Sequence, residues 1–163
     1  MPLLGGIYLY GAIGDHPKAA DFALQGIKVF VVSGVFVQGI KQITHRHRPH
    51  QDVPPDPRNW DGPFSDIQYT SFPSAHTTAA FATACFLSEY FKEKKWVPWL
   101  SYTLAAGVGL SRINDDEHWA SDVFAGAILG YYMARFLMRN KNTSLGLQVL
   151  PGGHAGFSLQ YHL

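Results

Sequence analysis

The sequence has little of the residues that mark several large classes of protein. It carries one cysteine, Cys85, among 163 residues, which excludes an internal disulfide framework and a zinc site built on cysteines. Its formal net charge is +1, so no strongly basic surface points to nucleic acid as a partner. Charged residues make up only 15% and hydrophobic residues 47%, a balance that excludes disorder for most of the chain. We expect one compact domain over residues 1–163.

Motifs of several enzyme classes are also missing. The sequence contains no glycine-rich phosphate loop, no Gly-x-Ser-x-Gly elbow and no His-Glu-x-x-His zinc motif. The N-terminal Met-Pro-Leu-Leu-Gly-Gly lacks the basic region that opens a signal peptide. We therefore expect either a cytoplasmic protein or one whose leader has been removed.

Four apolar stretches raise the question of a membrane. Each is interrupted by charged residues or falls short of the roughly 20 apolar residues that a spanning helix needs. We therefore interpret them as buried helices of a compact bundle, and association with a bilayer stays open. The stretches cover residues 19–40, 77–91, 98–110 and 123–138.

Helical periodicity and the positions of proline predict an all-α fold. We expect a compact helical bundle of about four to six helices, with a short extended or hairpin C-terminal tail over residues 143–163. Asp15 is a candidate cap for the first long helix, because Pro17 favours a helix start. Residues 1–14 are expected to form a loop or a short helix packed on the body. The long helices are predicted at residues 17–47, 73–94, 98–112 and 118–139.

A proline-rich loop over residues 49–72 separates the first two long helices. Loops of this length in compact domains are usually functional or disordered. Its aromatic residues either form an apolar entrance suited to a lipid tail or simply pack the loop against the body. They are Trp60, Phe64, Tyr69 and Phe72.

The first motif of interest is the pair Lys41 and Arg48, seven residues apart. On a continuous helix the two side chains would project from one face, and aligned cations repel each other unless an anion lies nearby. The alternative is a solvated basic helix end, since His45, Arg46 and His47 lie beside them.

The second motif is Pro73-Ser74-Ala75-His76, where the loop meets an apolar helix. Ser74 is a natural N-cap, and small residues there leave the first backbone N–H groups open to an anion. His76 falls in the first turn, close to the same point. The alternative is an ordinary helix start with an incidental histidine.

The third motif joins Ser111-Arg112 to His118 and Asp122. With His118 and Asp122 four residues apart on a helix, Asp122 accepts a hydrogen bond from one imidazole nitrogen and presents the other as a nucleophile or base. The alternative is a surface helix pair, worth a few tenths of a kcal/mol.

Two other clusters are weaker candidates for a metal site. In the histidine cluster Pro49 breaks the helical register, and consecutive acidic residues point in different directions, so a solvated turn is favoured for the acidic run. We therefore expect no metal and no cofactor. The clusters are His45, His47 and His50, and Asp115, Asp116 and Glu117.

The three motifs together indicate a site for phosphoryl transfer, because they supply three cations, a helix N-terminus and an oriented histidine. The three motifs resemble the signature of the type 2 phosphatidic acid phosphatase (PAP2) superfamily, which includes class A acid phosphatases and vanadium haloperoxidases. Order and internal spacing both match, over residues 41–122. One position departs, because the usual second motif has glycine where this chain has Ala75. If that position contributes its backbone N–H, alanine retains the donor.

The resemblance implies a role for each motif residue. His118 attacks phosphorus and becomes a phosphohistidine, Asp122 orients it, and His76 is the general acid for the leaving alcohol. Ser111 supports the turn at Arg112, and no metal is required. The phosphate oxygens are held by Lys41, Arg48, Arg112, the Ser74 hydroxyl and the Ala75 N–H.

The function expected from this resemblance is a metal-independent phosphatase acting on a phosphomonoester or pyrophosphate. The substrate is a lipid phosphate, a polyprenyl pyrophosphate or a small soluble ester, and vanadate or phosphate inhibits. The alternatives are a vanadate-dependent haloperoxidase and a non-catalytic anion-binding helical module. Active sites of relatives face the periplasm or cell exterior, so we expect the cell envelope, in a bacterial periplasm or at a membrane surface. Oligomeric state stays open.

Overall fold

The computed structural model describes residues 2–63, 65, 70–140, 143–149 and 155–161. In these residues five helices precede an antiparallel hairpin, which confirms the predicted all-α bundle with a hairpin tail. The elements are α1 Pro2–Ile13, α2 Pro17–Thr44, α3 Ala75–Tyr90, α4 Trp96–Asn114, α5 Ala120–Arg139, β1 Thr143–Val149 and β2 Ala155–Tyr161.

Helix α3 lies at the centre of the bundle, packed against α2, α4 and α5. The core is built largely from small and medium side chains, so the helices approach closely. Two glycines of α5 are essential to this approach: a Cβ on Gly126 would lie 2.7 Å from the Ser74 carbonyl oxygen, and one on Gly130 would meet the Thr78 carbonyl oxygen. The core consists of Val29, Ala82, Cys85, Phe86, Ala134, Leu137 and Met138.

The helix starts show one correct and one wrong capping prediction. Ser74 caps α3, and its side-chain oxygen accepts from the Thr77 N–H at 3.4 Å. Asp15 does not cap α2: it adopts a left-handed conformation with φ of 55°, and His16 occupies the N-cap without a side-chain hydrogen bond. Pro17 at the first helical position is enough to start this helix.

Helix α2 ends at Thr44, three residues before the predicted end at His47. His45 turns left-handed, with φ of 40°, and the backbone then bonds to distant loop segments instead of to the helix. The Asp61 N–H donates to the His45 carbonyl at 3.2 Å, and the Ser71 N–H donates to the Arg46 carbonyl at 2.9 Å. These partners are remote in sequence, so local periodicity did not predict them.

Helix α2 also changes the interpretation of the apolar stretches. In the described part of the chain it is the one helix whose length and composition would allow it to cross a membrane, with 28 residues and a mean hydropathy of 1.6 in its most apolar window. Only 33% of that window is buried inside the protein. The polar residues of the stretch over residues 19–40 argued against a spanning helix in the sequence, and of these Lys28 is buried in the structure.

The hairpin pairs Thr143 with Tyr161 and Val149 with Ala155. The Pro151-Gly152-Gly153 segment around which the sequence predicted the turn lies outside the described residues. The single-domain interpretation of residues 1–163 stays a prediction.

Candidate active site

Four helix ends meet at one end of the bundle and bring the three sequence motifs together. Helix α2 ends just after Lys41, α3 begins at Ala75, α4 ends just after Arg112, and α5 begins just after His118. Direct hydrogen bonds join these ends: the Ser74 N–H donates to the Asp122 carbonyl at 3.0 Å, and the His118 N–H donates to the Arg112 carbonyl at 3.2 Å.

His118 is buried, with 3% of its surface exposed. Burial, and then the positive charges of Lys41 and Arg48, lower its pKa from 6.5 to about 3, although a hydrogen bond to the Ser71 backbone opposes the shift. His76 contributes a further, smaller lowering. His118 is therefore a neutral imidazole near pH 7, close to two of the three cations that the sequence predicted for this site.

Asp122 does not contact His118 in the way that the sequence predicted. Their nearest side-chain atoms, His118 Nδ1 and Asp122 Oδ2, are 3.9 Å apart, beyond hydrogen-bonding distance. The prediction assumed a helical i, i+4 pair, but α5 begins only at Ala120. Asp122 lies in the first turn of α5, where its Oδ2 accepts from the Trp119 N–H at 3.0 Å.

A serine occupies the gap between these two side chains. The Ser71 hydroxyl lies 2.5 Å from Asp122 Oδ2 and 3.5 Å from His118 Nδ1. Ser71 and Asp122 are both fully buried. The contact between histidine and carboxylate therefore runs through Ser71.

The three predicted phosphate-binding cations occupy different environments. Lys41 is buried, and its ammonium donates to the Thr70 carbonyl oxygen. Arg48 forms an ion pair with Glu117, whereas its buried Nε has no hydrogen-bond partner among the described residues. A buried donor without a partner costs about 1–3 kcal/mol, so this N–H is well suited to bind an anion.

Arg112 is held at the rim of the site. Its Nη2 donates to Asp115 Oδ2 at 2.6 Å, and its Nε donates to the Ser111 hydroxyl at 3.3 Å, the support expected of Ser111. Arg48 and Arg112 thus each bind a carboxylate of the 115–117 turn. The sequence predicted a solvated turn there and did not predict these two ion pairs.

Arg48 reaches the site by a route that the sequence did not predict. It lies beyond the end of α2, so the assumption that Lys41 and Arg48 share one helix face is wrong. The loop after α2 places it instead, with its backbone N–H donating to Gln51 Oε1 at 2.7 Å. Both residues nevertheless act electrostatically on His118.

The start of α3 presents the second motif. Ser74 is buried, while Ala75 and His76 are exposed in the first turn of the helix. The first N–H groups of a helix have no intrahelical acceptor and carry the positive end of the helix dipole. An anion beside Ala75 would lie against this helix end and next to the His76 side chain.

Arg46 is the residue that the sequence analysis missed most clearly, because it was treated as part of a solvated helix end. It is 5% exposed and forms an ion pair with Asp122. Its guanidinium carbon lies 4.5 Å from the Trp60 ring centroid and 5.6 Å from that of Trp119. The aromatic loop residue Trp60 was the available signal, since arginine favours such rings.

The histidines considered for a metal site and two of the aromatic residues considered for an apolar entrance have other partners in the structure. His45, His47 and His50 have separate partners: the Gly62 carbonyl, the Asp52 and Asp61 carboxylates, and the Asp116 carbonyl. Trp60 and Phe72 contact each other, with ring centroids 5.2 Å apart, so they pack the loop. Phe64 and Tyr69 lie outside the described residues.

An apolar groove of about 520 Å³ lies between α3 and α4. Its two hydroxyl-bearing side chains, Thr83 and Ser101, each donate to a carbonyl of their own helix at 2.8 and 2.7 Å. The groove reaches Ala80 on α3 and Val108 on α4. These residues lie one helical turn, about 6 Å, from His76 and Arg112 on the same helix faces.

An all-α bundle in which helix ends bring a buried histidine close to two cations, Lys41 and Arg48, has an arrangement typical of phosphate-handling proteins. The chain belongs to the PAP2 superfamily, whose family model matches residues 23–145.

Three curated relatives illustrate the likeness. Lipid A 1-phosphatase of Porphyromonas gingivalis is 41% identical over 78 residues, covering 43% of this chain and 18% of the relative. Lipid phosphate phosphatase 1 of Arabidopsis thaliana is 32% identical over 134 residues, covering 67% and 41%. Decaprenylphosphoryl-5-phosphoribose phosphatase of Mycobacterium tuberculosis is 34% identical over 122 residues, covering 75% and 62%. The chain thus spans less than two thirds of each relative, and no solved structure matches it significantly.

Proposed function

We propose that this protein is a metal-independent phosphatase that hydrolyses phosphate esters or pyrophosphates carrying an apolar tail. The observation that supports the proposal is the burial of His118 where four helix ends meet, with Lys41, Arg48 and His76 near enough to lower its pKa. Membership of the PAP2 superfamily and relatives named for lipid and polyprenyl phosphates support the same conclusion.

In the proposed mechanism, Nε2 of His118 attacks phosphorus while the bond from phosphorus to the leaving oxygen breaks. His76 donates a proton to that oxygen, and the Nδ1 proton stays on the His118 ring. Water then attacks phosphorus, His76 takes up its proton, and the bond between phosphorus and Nε2 breaks to release phosphate. Asp122 acts as the orienting carboxylate.

The cations and the helix end stabilise the charge that develops on the phosphoryl oxygens. Lys41, Arg48 and Arg112 are assigned to these oxygens, together with the Ser74 hydroxyl and the Ala75 N–H. Because phosphoryl transfer depends mainly on positioning and charge stabilisation, this set supplies what the reaction needs. Phosphate and vanadate, which present similar oxygens, are expected to inhibit.

The groove supports a substrate with an apolar tail. It begins one turn from His76 and Arg112 and is lined almost entirely by apolar side chains of α3 and α4. A tail lying there would leave its phosphate at the helix ends. The face of α4 turned away from the groove is also apolar, with Trp99 at 80% and Leu110 at 67% exposure. Such a surface favours action at a membrane, and we assign the protein to the cell envelope.

The test is hydrolysis of a chromogenic phosphomonoester and of a long-chain lipid phosphate in detergent micelles, both with excess EDTA. Wild type should turn over both, vanadate should inhibit, and His118→Ala should be inactive. His16→Ala, which removes an exposed histidine far from the motifs, is the control. Acid quenching should trap an acid-labile phosphoenzyme in wild type. Turnover that persists in His118→Ala would refute the assignment of the nucleophile.

A further inference from the structure

Every guanidinium nitrogen of Arg46 has a hydrogen-bond partner inside the protein. Its Nη1 donates to the Ser121 hydroxyl at 2.7 Å and also binds Asp122, while Nε and Nη2 donate to the Pro57 carbonyl at 3.2 and 2.6 Å. Trp60 and Trp119 lie against the guanidinium. Arg46 thus uses all three guanidinium nitrogens in four hydrogen bonds within the protein, whereas Nε of Arg48 has no partner among the described residues. Its position connects the loop after α2 to the first turn of α5.

Asp122 is fixed from several sides. Arg46 binds Oδ1, and Oδ2 accepts from the Trp119 N–H and the Ser71 hydroxyl. A fully buried carboxylate is costly unless its charge is paired and its oxygens are hydrogen-bonded, and both conditions hold here. The carboxylate is therefore held against Ser71 by partners on both of its oxygens.

The direction of the Ser71 hydroxyl follows from its neighbours. A hydroxyl has one proton, and the 2.5 Å contact with a carboxylate oxygen requires Ser71 to donate to Asp122. Its oxygen can then only accept from His118 Nδ1, 3.5 Å away, and this direction places the ring proton on Nδ1. The Ser71 backbone, which also hydrogen-bonds the His118 ring, adds a second contact from the same residue. The neutral ring consequently has its lone pair on Nε2.

We propose that Ser71 and Arg46 are positioning residues for His118. Arg46 locks Asp122, Asp122 orients the Ser71 hydroxyl, and Ser71 holds the His118 ring with its proton on Nδ1. The inference deepens the proposed function, on which it rests, because Nε2 is the nitrogen that attacks phosphorus there. Lysine cannot replace Arg46, since only the planar guanidinium bridges Asp122, Ser121 and Pro57.

The first test does not require activity. The ¹⁵N spectrum of histidine-labelled wild type at pH 7, with the His118 signal assigned by its loss in His118→Gln, reports which ring nitrogen carries the proton. A proton on Nδ1 supports the inference. A proton on Nε2 overturns it, because Nδ1 would then accept from Ser71 and the hydroxyl could not donate to Asp122.

The second test is kinetic and uses Ser71→Ala and Arg46→Lys. Each should lower kcat about 10- to 100-fold, the usual loss for partners that orient a histidine ring, and should leave KM within about twofold. Ser88→Ala and Arg58→Lys are the matched controls, since Ser88 bonds only within the α3–α4 region and the Arg58 side chain is exposed. A raised KM with unchanged kcat in Arg46→Lys would show instead that Arg46 binds substrate.

A double-mutant cycle separates positioning from a general loss of structure. If Ser71 acts through Asp122, Ser71→Ala should cost little further activity in an Asp122→Asn background. Fully additive losses overturn the inference even though the enzyme is active. If wild type hydrolyses no phosphate ester, the proposed function fails, and the ring tautomer still decides the inference.

Discussion

The close contact between α5 and the start of α3 predicts a large effect from one methyl group at Gly126. In Gly126→Ala the new Cβ would lie 2.7 Å from the Ser74 carbonyl oxygen, 0.7 Å inside the 3.4 Å limit of ordinary contact. Because the obstructing atom belongs to the backbone, the first turn of α3 must move away from α5. The Thr78 hydroxyl, 3.1 Å from the same Cβ, adds to the obstruction.

Two opposing effects set the magnitude. Overpacking of this kind costs about 1–3 kcal/mol, whereas alanine is better than glycine inside a helix by up to about 1 kcal/mol. We expect a net loss of about 1–2 kcal/mol, or about 3–6 °C in Tm for a protein of this size. Since Ser74 borders the site and its N–H binds the Asp122 carbonyl, we also expect about a 10- to 100-fold loss of kcat/KM.

Gly107→Ala is the matched control. Gly107 lies inside α4, and a Cβ there would meet nothing within 4 Å. The same substitution should therefore raise the free energy of unfolding by about 0.5–1 kcal/mol through helix propensity alone, with full activity. Thermal unfolding and kcat/KM for a chromogenic phosphomonoester measure both effects. If Gly126→Ala is as stable and as active as Gly107→Ala, the reasoning from the α3–α5 contact is wrong.

Three further predictions concern charge and the groove. The pKa of His118 is near 3 in the folded state and near 6.5 in the unfolded state, so wild type should lose stability relative to His118→Gln as pH falls from 6.5 to 3. Urea unfolding at several pH values measures this loss, and an equal change of unfolding free energy with pH in both proteins would contradict it. Ala80→Phe, inside the groove, should raise KM about tenfold for a long-tailed ester and leave KM for a short ester unchanged. Ala106→Phe, on α4 outside the groove, should change KM for neither ester; a raised KM in Ala106→Phe alone would place the tail elsewhere. Glu117→Gln should lower the Ki of phosphate by up to about fivefold, because it frees Arg48 from its ion pair and removes a negative charge. A raised Ki would show instead that the ion pair holds Arg48 in the position that binds phosphate.

The sequence was informative where chemistry is local. Ser74 was identifiable as a helix cap because it stands directly before an apolar run, where a serine side chain can accept from an early N–H of the helix. Helical periodicity likewise predicted the all-α bundle, with boundaries displaced by a few residues. The spacing of the motifs identified the candidate site residues. Their roles as nucleophile, general acid and phosphate ligands are predictions that the experiments above test.

The sequence was misleading where a residue's environment depends on distant segments. Residues 45–47 have helical neighbours and precede a proline, yet their backbone bonds to residues 59–61 and 71, so α2 stops and Arg48 approaches from a loop. Arg46 had the composition of a solvated helix end, but Trp60 and Asp122 surround it. Helical periodicity relates only residues three or four positions apart, so it cannot predict contacts with segments that are distant in the sequence.

By itself the sequence determined the helical class, the capped start of α3 and the set of charged and histidine residues available for a phosphate site. The tertiary structure alone decided that Ser71 stands between His118 and Asp122 and that an apolar groove lies between α3 and α4. It also decided that Arg46 is internal, while Arg48 retains a buried donor without a described partner. The physical reason is that burial and long-range hydrogen bonds set protonation, ring orientation and charge pairing, and each depends on segments that only folding brings together.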